Sequence, residues 1–400
     1  MKFKALATLS LAVSLTILPN IGDVSAESQI KAPEKSKEVN TQVEKGSYVK
    51  GEVIVKFKDK GKSAQQKALK GMSAKVVPDE DAVDSKFKVL EVGNVEAVVK
   101  ALNNNPNVEY AEPNYNFSAT WTPNDYYYSS VQYGPQNTYT PSAWDYARGS
   151  SNQEIAIIDS GVDYTHPDLN NKTIRGYDFV DNDYYPMDES GHGTHVAGTA
   201  AAETNNSTGI AGMAPNTSIL AVRALGANGS GSLADIADAI RYSADVGAEV
   251  INLSLGCNCD TQTLENAVNY AWNSGSVVIA AAGNDGVSTT FEPASYANVI
   301  AVGAVDSNDR KASFSNYGTW VDVTAPGVQI ASTVPNNGYA YKSGTSMASP
   351  HVAGLAGLLA GQGRSNDQIR AAIENTADPI SGTGYYFEHG RINSLDAVRY

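Results

Sequence analysis

Along residues 48–58, YVKGEVIVKFK, apolar and polar side chains alternate, the period of a strand with one wet face. AQQKALKGM (64–72) and VEAVVKALNNNP (95–106) repeat apolar residues every three or four positions and predict helices, the second with a clear stop. VEYAEPNYNF (108–117) follows as a final strand. Together these predict a small α+β unit with a modest core of its own.

From about Trp121 the pattern changes. EIAIID, SILAVRAL, EVINLSL, SVVIAAAG and NVIAVGAV are nearly continuous apolar runs, and they alternate with the helical patterns THVAGTAAAE, SLADIADAIRYSADVG and TLENAVNYAWNSG. Buried runs interleaved with helices predict an α/β fold, a parallel sheet flanked by helices on both faces. In such a sheet the functional groups gather just past the carboxyl ends of the strands.

The ends and the charge divide the chain further. Lys2 and Lys4 precede an apolar stretch from Ala5 to Leu18, and Val24-Ser25-Ala26 follows, so residues 1–26 read as a secretory signal. Residues 27–48 form a polar lead-in. The expected divisions are 1–26, 27–120 and 121–400. Residues 1–120 hold 17 Lys and no Arg against 15 acidic residues, whereas residues 121–400 hold 12 basic against 28 acidic ones. That acidic surface argues against nucleic acid and anionic membranes and is compatible with cations. A soluble, exported monomer is expected. The two cysteines, Cys257 and Cys259, can bridge only if the chain turns between them; two free thiols are the alternative.

Polar residues at strand ends and helix starts carry the candidate chemistry. Asp159 ends EIAIID, where a buried carboxylate is costly unless paired. The Asp-Ser-Gly that it begins also suits an aspartic protease, but no second such motif supplies the partner carboxylate. SGHGTHVAGTAAA places His192 at a helix entry and His195 three residues on, without the Glu of a zinc-protease helix. Ser346 lies where GTSMASPHVAGLAGLLA opens an apolar helix, and N–H groups there can face an oxyanion. His351 should point away from Ser346 and pack; His192 is the better base. Asn284, at the end of VVIAAAGN, offers a side-chain donor to the same oxyanion.

IIDSGVD, HGTHVAG, LSLG, AAGN and GTSMASPHVAG resemble the subtilisin-like serine proteases from Trp121 to the C-terminus, and WTPNDYYYSSVQYGPQ is similar to the thermitase-type branch. The resemblance implies an Asp159–His192–Ser346 triad with Asn284 in the oxyanion hole. It implies a secreted endopeptidase for protein and peptide substrates, with broad specificity and an apolar or aromatic preference. Ser254, Leu255 and Gly256 would pair with substrate, and Ala280, Ala281, Ala282 and Gly283 would form the facing wall of the primary pocket. Residues 50–117 resemble the propeptides of the same family, which implies an inhibitory propeptide over 27–120 that the enzyme itself would cut between Thr120 and Trp121, with Phe117 in the subsite four residues upstream. The contrary reading is a catalytically silent module that binds peptides on the same fold.

The same resemblance implies bound Ca²⁺ at two or more sites. NNSTGIAG (205–212) is a polar, Gly-containing loop, and calcium wants six to eight oxygens. By resemblance, Asp125, Asp168 and Asn206 give side chains and Glu203, Thr208 and Ile210 carbonyls. YDFVDNDYYPMDE offers Asp178, Asp181 and Asp183, like charges that repel unless a cation joins them, with Met187 where the family has glutamine. A weak site, possible for a monovalent cation, would use Ala294, Tyr296 and Val299 carbonyls with Asp322, although Trp320 replaces a family acid.

Overall fold

A computed structural model describes residues 48–58, 62–70, 73–77, 86–115 and 121–400. The expected signal segment, Phe117 and Thr120 lie outside the described residues. The first unit comprises β1 (Tyr48–Phe57), α1 (Lys62–Leu69), β2 (Ala74–Val76), β3 (Lys88–Val92), α2 (Val95–Asn103) and β4 (Val108–Tyr115). Its strands form an antiparallel sheet in the order β2-β3-β1-β4. The alternation of β1 turns Val53 and Val55 inward against Leu90, Val95 and Leu102. Asn94 caps α2 by accepting from Ala97 N at 3.0 Å.

The second unit begins with three short helical segments, α3 (Tyr128–Val131), α4 (Gly134–Asn137) and α5 (Thr140–Ala143). There follow β5 (Glu154–Asp159), β6 (Thr173–Asp178), α6 (His192–Ala201), β7 (Ser218–Arg223), α7 (Leu233–Asp245), β8 (Val250–Leu253), α8 (Gln262–Asn273), β9 (Val277–Ala281) and β10 (Val299–Val305). The chain ends through β11 (Val323–Pro326), β12 (Ile330–Val334), β13 (Gly338–Lys342), α9 (Thr345–Ala360), α10 (Asn366–Asn375), β14 (Gly390–Arg391) and α11 (Ser394–Arg399).

Among the described residues, eight strands make one sheet in the order β14-β11-β10-β9-β8-β5-β7-β6, and every pairing is parallel. The apolar runs are continuous because both faces are covered. Ile155 and Ile157 of β5 enter a core with Val196 of α6 and Val352 and Leu355 of α9. Ala156 and Ile158 enter another with Ile240 of α7 and Val268 of α8. Helix α9 is buried along its length apart from Ser346, which is only partly covered. That explains a helix without a polar stripe.

Register brings the site together. Leu253 of β8 pairs with Ile158 on one side and Ala280 on the other. Asp159, Ser254 and the Ala281–Asn284 segment therefore leave three adjacent strands at the same end of the sheet.

Candidate active site

His192 opens α6, and the chain reaches it through a turn organised by the buried carboxylate of Asp188. Asp188 Oδ1 accepts from Ser160 Oγ (2.8 Å), Ser190 N (2.9 Å) and Gly191 N (2.8 Å), and Oδ2 accepts from Thr194 N (2.8 Å) and Thr194 Oγ1 (2.6 Å). These bonds satisfy donors that a helix start leaves free. Gly193 permits the approach to β5, since a Cβ there would lie 2.0 Å from Gly161 O and 3.1 Å from Asp159 Cβ. His192 Nδ1 then meets Asp159 Oδ1 at 2.7 Å, while Asp159 is fully buried and the imidazole keeps 27% exposure. Burial disfavours the imidazolium, but the Asp159 carboxylate outweighs it and holds the proton affinity of His192 above the ordinary value.

Ser346 is the second residue of α9. Its hydroxyl donates to Ser254 O at 3.1 Å, and Ser254 Oγ donates to Ser346 O at 2.9 Å. Among the described residues no hydrogen bond joins Ser346 Oγ to the imidazole. Ser346 rests on the neighbouring strand end, one place from the Asp159–His192 pair. Behind it, Ser349 Oγ donates to Asn252 Oδ1 (2.7 Å) and Asn252 Nδ2 to Ser254 Oγ (3.0 Å).

The Asn284 amide is oriented by Thr345. Thr345 N (2.8 Å) and Oγ1 (3.0 Å) both donate to Asn284 Oδ1, which turns Nδ2 the other way. A Cβ on Gly344 would lie 3.6 Å from Asn284 Nδ2 and 3.7 Å from Ser346 N, so both donors lie near one point. Two such donors are what an oxyanion hole would need.

Sequence reasoning missed Asn316, a buried residue in the ordinary-looking turn SFSNYG. Its Nδ2 donates to Ala282 O (3.0 Å), its Oδ1 accepts from Asp285 N (2.9 Å) and Val287 N (3.3 Å), and its backbone N donates to Gly283 O (3.0 Å). Asn284 is thus bracketed on both sides. Gly283 has φ +98, and a Cβ there would lie 2.4 Å from the Asn316 amide.

His351 is buried with Nδ1 2.9 Å from Met347 O, and burial lowers it to about 4; it packs, as expected. His195 is likewise internal, with Nε2 2.9 Å from Ile330 O, and is pushed down to about 3 by burial.

Of the expected substrate segments, Ser254–Gly256 leaves the sheet after β8, and no hydrogen bond holds the Leu255 or Gly256 backbone among the described residues. Ala280–Gly283 is buried opposite. The slot between them departs from expectation, because the Phe291 ring stands in it. A Cβ on Gly256 would lie 2.4 Å from that ring and one on Gly283 3.1 Å. Beside the slot Cys257 and Cys259 are paired, with Cα atoms 5.2 Å apart.

The three expected cation sites differ. At the first, Asn206 Nδ2 donates to Asp168 Oδ1 (2.8 Å), while Asp125 Oδ2 accepts from Asn205 N (2.7 Å) and Asp168 Oδ2 from Ile210 N (2.9 Å). Both carboxylates are buried and neither pairs with a Lys or Arg among the described residues. Burial raises Asp125 to about 7 and Asp168 to about 6. Two buried acids without a counter-charge, beside the Glu203, Thr208 and Ile210 carbonyl segment, fit a hard divalent cation.

The second site already holds an arginine. The buried Arg223 donates from Nη1 to Asp178 (2.9 Å) and Asp181 (2.6 Å) and from Nη2 to Glu189 (2.8 Å), and does not reach Asp183 among the described residues. A guanidinium already supplies the positive charge there, and Met187 brings no side-chain oxygen. At the third, Tyr296 O accepts from Val299 N (3.0 Å), Asp322 Oδ2 from Ala301 N (2.7 Å), and Arg370 reaches Asp322 Oδ1 (3.3 Å) and Ala297 O (2.6 Å). An arginine again stands beside the acid, so Ala294, Tyr296, Val299 and Asp322 fit an added cation less well than the first cluster does.

A model of the Subtilase family matches residues 150–392, and one of the Fervidolysin N-terminal prodomain matches residues 34–114. The chain is 71% identical over 401 residues, all of both chains, to the thermophilic serine proteinase of Bacillus sp. (strain AK1). It is 61% identical to thermitase of Thermoactinomyces vulgaris over 280 residues, 70% of this chain and 100% of that protein. A solved protease structure from Pseudoalteromonas arctica PAMC 21717 covers 70% of this chain and 99% of its own at TM-score 0.63 and 32% identity.

Proposed function

The chain belongs to the subtilase family and is a serine endopeptidase made as a precursor; on that premise we propose that Ser346 is the nucleophile, His192 its base and acid, Asp159 the orienting carboxylate and Asn284 an oxyanion donor. The observation that carries this assignment is the 2.7 Å Asp159–His192 contact on the strand end next to the one that holds Ser346.

In the proposed mechanism the substrate pairs with the open Ser254–Gly256 backbone, and a substrate N–H takes Ser254 O. Ser346 Oγ is thereby released to turn toward His192 Nε2. His192 removes the hydroxyl proton as Oγ attacks the carbonyl carbon, and the oxyanion is held by Asn284 Nδ2 and Ser346 N. The imidazolium, stabilised by Asp159, gives its proton to the leaving amine. Water then repeats the sequence on the acyl ester and frees Ser346.

Residues 1–26 are assigned to export, 27–120 to the propeptide and 121–400 to the enzyme, with self-cleavage between Thr120 and Trp121. Calcium at Asp125, Asp168 and Asn206 would supply the missing positive charge and take no part in the reaction. A Cys257–Cys259 disulfide suits an exported monomer. Labelling by an organophosphonate or sulfonyl fluoride should require both Ser346 and His192. Stoichiometric, activity-linked labelling that persisted in Ser346→Ala would defeat the assignment.

A further inference from the structure

Phe291 is placed in the substrate slot by its backbone. Cys257 N donates to Glu292 O at 2.8 Å and Glu292 N to Cys257 O at 2.9 Å, a closed antiparallel pair that fixes the backbone next to both Gly256 and Phe291. Ser295 N donates to Phe291 O at 3.1 Å and fixes the other side. The ring then spans the walls. A Cβ on Gly256 would be 2.8 Å from Cδ1, and a Cβ on Gly283 3.1 Å from the same atom. Both walls also reach the reacting centre, Gly256 through Ser254 and its bonds to Ser346, Gly283 as the neighbour of Asn284. A carbonyl carbon at Ser346 Oγ, with its oxygen toward Asn284, must direct its own residue's side chain into this slot.

We propose that Phe291 sets the specificity of the enzyme by filling this slot, so that the residue on the acyl side of the cut bond is small, such as alanine, rather than aromatic. The proposal rests on the assignment of Ser346 and Asn284 above. An apolar wall attracts an alanine methyl, whereas an aromatic side chain must expel the ring or stay outside. One misfit methylene already discriminates about 10–200-fold.

The test uses the processed enzyme and succinyl-Ala-Ala-Pro-X p-nitroanilides with X as Ala, Leu or Phe. Active sites are counted with phenylmethylsulfonyl fluoride. The expected kcat/KM for X = Ala exceeds that for Phe by about tenfold or more, and Phe291→Gly reverses the order by raising the Phe value. A natural enzyme that cuts X = Phe as well as Ala overturns the proposal, whether or not the variant folds. So does a folded Phe291→Gly enzyme whose Ala-to-Phe ratio is unchanged. If the natural enzyme neither cuts any of the three nor labels at Ser346, the assignment of the site itself has failed, and this proposal with it.

Discussion

Ser346 and Ser254 hold each other: the hydroxyl of each donates to the carbonyl of the other, at 3.1 Å and 2.9 Å. The proposed nucleophile is therefore parked on a carbonyl that, in the proposed mechanism, a peptide also needs. Ser254→Ala removes the bond to Ser346 O and leaves Asn252 Nδ2 without its acceptor. One such bond is worth about 0.5–1.5 kcal/mol net. A fall in kcat of about tenfold with a small loss of thermal stability is expected from steady-state kinetics and calorimetry.

The Asp159–His192 contact makes a prediction about pH. Burial acts to lower the imidazole and Asp159 acts to raise it, and the carboxylate prevails. With neutral His192 as the proposed base, activity should rise as pH rises through the value of the free enzyme, which stands above the ordinary one. Asp159→Asn removes the raising charge and keeps the burial. The acid limb of kcat/KM should move to lower pH while kcat falls about 10⁴-fold, the loss general to serine triads without a charged orienting group. A limb that stays in place would contradict this reading.

The sheet was legible in the sequence because short continuous apolar runs alternating with helical patterns suit strands covered on both faces, and the ends of two of them carry Asp159 and Asn284. Strand β6 was missed: its Thr-Ile-Arg-Gly-Tyr-Asp pattern is that of a partly exposed edge strand. The hairpin of β12 and β13 was missed as well. Arg223 lies inside the run SILAVRAL, and nothing along the chain tells that its guanidinium meets Asp178 and Asp181. Phe291 and Asn316 escaped for the same reason. Each does its work through a segment distant in sequence.

Asn316 is expected to act through Asn284. It anchors residues 282, 283, 285 and 287, and Thr345 anchors the Asn284 amide oxygen. Asn284→Ala should lower kcat by about 10²–10³ with little change in KM. Asn316→Ala should lower kcat about tenfold in the natural enzyme and less than about twofold when Asn284 is already alanine. Equal losses in both backgrounds would make Asn316 merely structural.

The Cys257–Cys259 pair follows the substrate strand and adjoins the Cys257–Glu292 backbone pair. Closing so short a loop restricts the unfolded chain by only about 1.5 kcal/mol, so the larger effect falls on the local frame of Phe291. Reductant, or Cys257→Ser with Cys259→Ser, should hasten thermal inactivation modestly and narrow the Ala-to-Phe preference. Identical half-lives with and without reductant would remove any stabilising role.

Cation dependence should map to one cluster. Asp125 and Asp168 are buried acids without an arginine, whereas Arg223 and Arg370 serve the other two sites. A cation that binds only the folded chain stabilises it by about 2.7 kcal/mol when present at a hundred times its Kd. Chelator should therefore shorten the half-life of the natural enzyme at high temperature, and added calcium should restore it. Asp125→Asn should shorten the half-life in calcium toward the chelator value and make it nearly insensitive to chelator. Asp183→Asn should keep the full chelator response, because Arg223 already balances the charge of its neighbours. Metal analysis of the two variants checks the same point, since only Asp125→Asn should lose bound calcium. A reversed order, with Asp183→Asn insensitive and Asp125→Asn responsive, would place the stabilising ion at the arginine-bridged cluster instead.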